Sequence, residues 1–419
     1  MSENEDKIKD LEKILNVTQE MSAESNLDSL LTLIMERMKD IIKCDRCTIF
    51  ILDVEKNELW SKLSTKLEIK EIRIPKTKGI AGEVACSRKP VNIKDAYEDD
   101  RFDQEIDKKT GYRTHSILCV PLFNIEKNVV GVIQLLNKLD GNPFTFYDEF
   151  ILKTFSSQAG VIIERADLYE SNLEKEKLSH ELELAGNIQK RLLPERSESV
   201  NGLEVTGWNI SCDDTGGDYF DFFHLEDEST IIAVGDVSGH GISAALVMLE
   251  ARALFKAFTL NFKNIEDVLN KMNHILQYDL DAEKFMTFFM GHFSKDRTKF
   301  VYSSAGHDGP IWFHSKTQKI TILDSTSTVL GFMDGVTFPE TEVYNTEIGD
   351  IFLFCTDGVF EAMNSKNEQY GKDRLVDLIV KWQLSDTSTI SDIVKEDLKL
   401  FCGNVVARDD ITLVLVRIV

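Results

Sequence analysis

The sequence predicts an α+β chain: an antiparallel sheet flanked by helices, a helical coiled-coil connector, and then an α/β/β/α sandwich. Three observations carry this expectation. Ahead of Thr145, two strand–turn–strand patterns bracket a short helix opened by glycines. From Leu152 apolar residues recur at strict three- and four-residue intervals, the seam of a coiled coil or helical hairpin. Beyond Pro194 strongly apolar runs alternate with amphipathic helical patterns, as expected of two packed sheets with helices outside.

The elements follow in order. From Leu11 to Ile42 the helical spacing is broken at "SAESNLD", where Asn26 or Ser25 can cap a second helix. "CTIFILDVEKNELWSKL" reads as a hairpin turning at Glu55-Lys56-Asn57, and "GIAGEVACSRKPVNI" as a short helix followed by an extended segment. "SILCVPLFNIEKNVVGVIQLLNK" is a second hairpin, and a helix from about Thr145 closes the unit. That helix continues along Leu152, Phe155, Ala159, Ile162, Ala166, Tyr169 and Leu173. A second seam, out of phase, runs through Leu178, Leu182, Ala185, Gln189 and Leu192. Such a connector is either a plain spacer or a signalling linker able to expose one stripe or the other. In the last stretch, "LEVTGWNI", "YFDFFHL", "TIIAVGD", "MTFFMGHF", "KFVYSSAGH", "GPIWFH", "KITIL", "DIFLFCTDG" and "DITLVLVRIV" read as strands. Helices are expected after Gly241, Asn264 and Gly371 and over Thr387 to Phe401. The expected domains are an N-terminal helix (1–26), a front domain (27–166), a linker (167–195) and a back domain (196–419).

Composition excludes some functions. The 419 residues carry a net charge of −23, which repels phosphate backbones and argues against nucleic-acid binding. No apolar run approaches the ~20 residues that span a bilayer, and the charged start "MSENEDKIKDLEKIL" is no secretory signal. Seven scattered cysteines fit buried thiols in a reducing compartment, so a cytoplasmic protein without a membrane role is expected. Cys44 and Cys47 form a lone C-x-x-C with no second pair at zinc spacing.

The chemistry lies in aspartates at strand edges: Asp218 in "TGGDYFDFF", Asp236 in "IIAVGDVSGHGISAAL", Asp357 in "IFLFCTDGVFEA", and Asp409 with Asp410 in "ARDDITLVLV". Singly, each reads as a turn residue. Together they cannot enter the core without a large desolvation cost, and at one rim they repel unless cations neutralise them. Hard oxygen donors in this number suit Mg²⁺ or Mn²⁺. Glycines 216, 217, 235 and 358 would let backbone approach such ions.

These residues also carry a resemblance. "ELAGNIQKRLLP…TGGDYFDFF…GDVSGHGISAAL…AGHDGP…LFCTDGVFEAMN…YG…DDITLVLV" resembles SpoIIE-type (RsbU-like) members of the PPM metal-dependent serine/threonine phosphatases, over roughly Glu181 to Val419. The resemblance implies two Mn²⁺ or Mg²⁺ ions that activate a shared water for in-line attack on phosphorus. It implies Asp236 as the shared ligand with the Val237 carbonyl, Asp218 and Asp357 completing the pair, and Asp409, or Asp410 in its place, on the other ion. His240 either protonates the leaving oxygen or is a turn histidine; His307 reads as structural. Ser211 and Ser304 depart from the family's usual Pro and Asn.

Residues from about Leu27 to Ala166 resemble a GAF domain, more narrowly the cyclic-nucleotide-binding type, through "RCTIFILD", "EIRIPKTKGIAGEVA", "NIKDAYEDDRFDQEIDKKTGYRTHSILCVPL" and "VVGVIQLLNK". The subfamily signature is complete as Asn137, Lys138, Phe144, Asp148 and Glu149, and braces the pocket there through a Lys–Asp pair. The resemblance implies Thr48, Leu63 and Ser64 facing a purine of cAMP or cGMP, Thr110 and Thr114 over the ribose-phosphate, and Asp107 and Gln134 nearby. In so acidic a domain, a phosphate is expected to be met by neutral donors, the Ile80 and Ala81 N–H groups at a helix start. The alternative is a ligand-free GAF used for dimerisation.

The two resemblances imply a ligand-regulated phosphatase acting on an anti-sigma-factor antagonist (a STAS domain) in bacterial partner switching, as a homodimer through its GAF and linker helices. A scaffold that binds a partner without turnover is the competing expectation.

Overall fold

The computed structural model describes residues 2–61, 72–194, 197–281 and 283–419. The chain divides into two compact units, Met1–Lys177 and Leu178–Val419.

In the first unit, helices α1 (Ser2–Ala23) and α2 (Leu27–Ile42) meet at Asn26, whose side chain accepts the Ser29 N–H and caps α2. Strands β1 (Cys44–Asp53), β2 (Glu58–Ser61), β3 (Ile72–Pro75), β4 (Val91–Ile93), β5 (Ile117–Phe123) and β6 (Val129–Lys138) form one sheet in the order β3-β2-β1-β6-β5-β4. Neighbouring strands in it pair antiparallel. Period-two alternation sorts the side chains. Ile49, Ile51, Leu118, Val120 and Leu122 join a core with α1, α2 and the start of α5 (Phe146–Lys190). Phe50, Ile117, Cys119 and Val132 face the other way, against α3 (Gly79–Ser87). A short α4 (Glu105–Thr110) precedes β5.

On α5 the buried stripe is Leu152, Phe155, Ala159, Ile163 and Ala166. Ile163 therefore takes the place expected for Ile162, because four-residue steps keep the stripe over the sheet. Past Ala166 the stripe surfaces: Tyr169 is 53% exposed and Leu178 56%.

The second unit stacks two sheets between helices. One sheet is β15 (Thr341–Tyr344), β12 (Lys299–Ala305), β11 (Met286–Phe293), β10 (Thr230–Val237) and β9 (Tyr219–His224), in that order. The other is β14 (Ile320–Ile322), β13 (Ile311–Phe313), β16 (Ile351–Cys355), β17 (Ile411–Ile418), β8 (Leu203–Ile210) and β7 (Ser197–Val200). Between them lies an aromatic core in which Phe300 meets Phe293 at 4.4 Å and Phe352 at 5.1 Å between ring centroids. Helices α6 (Ile242–Thr259) and α7 (Ile265–Asp279) cover the first sheet, and α9 (Lys372–Trp382) and α10 (Thr387–Cys402) the second. This is the expected α/β/β/α order. The strands β7 and β15 and the one-turn helix α8 (Asp357–Glu361) were not anticipated. No helix among the described residues is long and apolar enough to cross a membrane.

Candidate functional site

Register brings the acidic residues together. In the β9–β10 pairing Tyr219 lies opposite Gly235, so Asp218, just before β9, sits at the end of β10 that carries Asp236. In the β16–β17 pairing Cys355 lies opposite Leu413, so Thr356 and Asp357 leave one strand where Asp409 and Asp410 enter the other. The two strand ends are bonded across the sandwich. Asp218 Oδ2 accepts the hydroxyls of Thr356 at 2.8 Å and Thr412 at 2.6 Å. Its other oxygen, Oδ1, is buried and has no hydrogen-bond partner among the described residues.

These carboxylates resist ionisation. Burial, then the charges of Asp357, Asp409 and Asp410, push Asp236 up to about 7. Burial, then Asp236, hold Asp218 well above the carboxylate range. Asp357 is raised by burial and by Asp409. No three His, Cys, Asp or Glu side chains among the described residues converge closely enough to hold one ion by themselves. A Mg²⁺-like ion does not need that, because it takes one or two carboxylates and keeps its waters. A bare buried oxygen and mutually repelling oxygen donors at one rim fit hard divalent cations.

Asp410 has a different role from Asp409. Its Oδ1 accepts the Cys212 N–H at 2.8 Å and its Oδ2 the Gly217 N–H at 2.6 Å, so it is spent on fixing the 211–218 loop. Asp409 stays exposed, with Oδ1 accepting the Asp410 N–H at 2.9 Å. Gly216 is needed for that loop: a Cβ there would stand 2.4 Å from Asp410 Oδ2. A Cβ on Gly217 would stand 3.0 Å from the Val237 carbonyl oxygen. Both glycines therefore lie tight against neighbouring protein atoms.

The loop is also held from outside the sandwich. Gln189, near the end of α5, donates to the Gly216 carbonyl at 2.6 Å and accepts the Gly216 N–H at 3.0 Å. Periodicity placed Gln189 on an apolar seam, and nothing in the sequence marks this pairing. His240 lies in a turn between Gly239 (φ +83°) and Gly241 (φ +77°), conformations suited to glycine. Its Nδ1 is 2.7 Å from Asp213 Oδ2, a partner that sequence reasoning missed. His307 is buried, 2.8 Å from the Thr287 hydroxyl through Nδ1, and burial lowers it to about 4. Ser304 donates to the His307 carbonyl at 2.6 Å and so closes that turn.

In the first unit a cavity of about 130 Å³ opens beside the start of α3. Thr48, Ile80, Ala81 and Gln134 line it. Asp107 and Thr114 are instead buried and bonded to each other, Thr114 donating its hydroxyl at 2.9 Å and its N–H at 2.7 Å. Leu63 and Ser64 lie outside the described residues, as does the Thr110 side chain. Arg46 and Lys78 also line the cavity, with Lys78 Nζ 2.8 Å from Asp103 Oδ2 in the same wall. Arg46 Nε is buried without a hydrogen-bond partner among the described residues, and the guanidinium stacks 3.5 Å over the Tyr112 ring. Nothing in the sequence marks Arg46 as a residue that faces a cavity.

The signature residues brace this unit. Lys138 Nζ is 2.7 Å from Asp148 Oδ2, which also accepts the Thr145 N–H and hydroxyl. Asn137 (φ +54°) accepts the His115 and Ser116 N–H groups and donates to the Arg113 carbonyl. Phe144 is buried, and Glu149 pairs with Lys153 at the surface.

Each of the two folds matches a known family. The family described as Stage II sporulation protein E (SpoIIE) matches residues 226–419, and the GAF domain family matches residues 26–163. Residues 26–163 thus match the GAF family and residues 226–419 the SpoIIE family. The SiaA-PP2C domain of Pseudomonas aeruginosa shares the fold of the second, with a TM-score of 0.51 and 21% identity, covering 58% of this chain and 98% of that one. In the GAF region, the Dual 3',5'-cyclic-AMP and -GMP phosphodiesterase 11 of Drosophila melanogaster is 36% identical over 206 residues, 45% of this chain and 14% of that protein. The Probable 3',5'-cyclic phosphodiesterase pde-5 of Caenorhabditis elegans is 34% identical over 157 residues, 35% of this chain and 21% of that protein. The match thus spans a small part of either phosphodiesterase.

Proposed function

We propose that this chain is a metal-dependent protein serine/threonine phosphatase controlled by a cyclic nucleotide, cAMP or cGMP, in its GAF domain. Asp218 carries the hydrolase half. One of its oxygens is braced by two hydroxyls and the other is buried and bare, beside acidic neighbours that raise its protonation. A folded chain sustains that arrangement at neutral pH when cations compensate it.

In this reading Asp236 and the Val237 carbonyl, with Asp218 and Asp357, would hold two Mn²⁺ or Mg²⁺ ions, and Asp409 would serve the second. Bound there, the ions supply an activated water and offset the phosphoryl charge. Thr356 and Thr412 keep Asp218 aimed, and Asp410 with Gln189 keeps its loop in place. Asp213 orients His240, leaving Nε2 to carry a proton to the departing serine or threonine oxygen.

Thr48, Gln134 and the α3 start would receive the nucleotide, and Arg46 and Lys78 would meet its phosphate. The likeness to cyclic phosphodiesterases in this region supports that choice of ligand. Apolar residues exposed along α5, such as Leu184 and Ile188, support a homodimer through the connector. A shift of α5 that withdrew Gln189 would free Gly216, two residues from Asp218, which gives the ligand a route to the centre. In this reading the chain is divided into an N-terminal helix (1–26), the sensor (27–166), the linker (167–195) and the phosphatase (196–419). Resemblance to RsbU-like proteins supports a phosphorylated STAS-domain antagonist as the substrate.

The test is Mn²⁺-dependent hydrolysis of p-nitrophenyl phosphate by the full chain. Activity should disappear in Asp236→Asn and Asp357→Asn; a wild-type chain without turnover would leave the scaffold reading. Equilibrium dialysis with cAMP and cGMP, against Arg46→Gln, tests the sensor half.

A further inference from the structure

We propose that the groove between α10, the 403–410 loop and α8 is the docking site for the polypeptide flanking the phosphorylated residue, and that it favours an apolar side chain beside an acidic one. This rests on the phosphatase reading and names how that centre selects its protein substrate.

The groove encloses about 490 Å³. Ile210, Met363, Leu398 and Val406 are among its apolar lining, and Val406 is 79% exposed. Helix α10 buries Ile390, Val394 and Leu398 against its sheet. Its Lys395 and Lys399, one turn apart on the helix, both border the groove, and Arg408 adds a third cation. The Lys395 ammonium rests 5.4 Å over the Trp208 ring. Glu361 and Glu396 also border the groove, so the cations are interspersed with acids. Counted with Asp409, the wall carries three cations and three acids, so in a chain of net charge −23 this cleft is locally neutral and repels an acidic partner segment less than the surface around it. Apolar anchors with a polar rim are also how peptides are held.

Continuity with the centre fixes which segment occupies it. Asp409 is both a wall of the groove and a member of the carboxylate cluster, and Gly358, also in the wall, follows Asp357. A phosphorylated residue with its phosphate at the cluster therefore has its neighbours in the groove, at about 3.3 Å per extended residue. A small aryl phosphate reaches the centre without entering it.

The experiment uses the full chain with Mn²⁺ and the exposed-site variants Lys399→Glu and Val406→Asp. The substrates are p-nitrophenyl phosphate and two labelled phosphoserine peptides, one with Leu and Glu beside the phosphoserine and one with Gly and Lys there. We expect kcat/KM for the aryl phosphate to stay within about twofold. For the Leu/Glu peptide KM should rise about 10-fold at similar kcat, and the wild type should prefer that peptide by a like factor. Unchanged peptide KM, or equal losses on both substrate types, would overturn the docking role. A wild type that hydrolyses nothing would instead overturn the phosphatase reading. Fluorescence anisotropy of the Leu/Glu peptide then decides the groove, by an approximately 10-fold weaker affinity in the variants or by none.

Discussion

Replacing Asp236 by Asn should abolish turnover yet stabilise the metal-free chain at neutral pH. Burial and three acidic neighbours hold the Asp236 carboxyl at about 7 instead of 3.8. Between those pH values the folded chain keeps a proton that the unfolded chain has lost. The free energy of unfolding therefore falls as pH rises through this window. The stabilisation is complete below about pH 4 and gone above about pH 7, a change on the order of 4 kcal/mol at 1.36 kcal/mol per pH unit. Asn carries no charge, so the variant escapes this loss. In EDTA at pH 8, scanning calorimetry should show Asp236→Asn melting higher than the wild type by roughly 8–16 °C, and at pH 4.5 by little. Mn²⁺ should then raise the wild-type melting temperature and leave the variant unmoved. A variant equally destabilised at both pH values would refute the electrostatic argument.

Other outcomes follow from the same geometry. Thr412→Val removes a donor from Asp218, and since hydrogen bonds to charged groups contribute about 1.5–3 kcal/mol, the Mn²⁺ concentration for half-maximal activity should rise about 10- to 100-fold. Gln189→Ala leaves both Gly216 backbone groups without their partner; limited proteolysis should cut near the 211–218 loop faster, with weaker Mn²⁺ activation. His307, held near 4 by burial, stays neutral where the unfolded chain is protonated, so it contributes stability that is lost as pH falls from about 6.5 towards 4. His307→Asn should flatten that part of the acid-unfolding curve. Asp148→Asn strips a half-buried Lys138 of its partner, and urea titration should show the GAF domain destabilised by about 2–4 kcal/mol.

Much of this architecture is legible locally. Runs such as "IIAVGD" and "DIFLFCTDG" state their own burial, and the acidic residue at each edge marks where a buried strand meets water. The short edge strands "SESV" and "TEVY" are half polar and become strands only by pairing with β8 and β12. The division of labour between Asp409 and Asp410 is equally invisible in sequence. It depends on which side chain meets the Cys212 and Gly217 N–H groups, some 190 residues away in the chain. The same holds for the Thr356 and Thr412 brace, set by pairing register, and for Gln189, whose helical periodicity says seam while its partner is a loop backbone. In the sensor, Arg46 alternates like any outward strand residue, and only the curved sheet with α3 over it turns that face into a pocket wall.

The most direct measurement is the number of Mn²⁺ ions bound per chain at neutral pH by equilibrium dialysis, wild type against Asp218→Asn and Asp357→Asn. The account predicts two ions in the wild type, reduced occupancy in both variants, and phosphatase activity that tracks occupancy. A wild-type chain that binds no Mn²⁺, or variants that bind as many ions as the wild type, would contradict it.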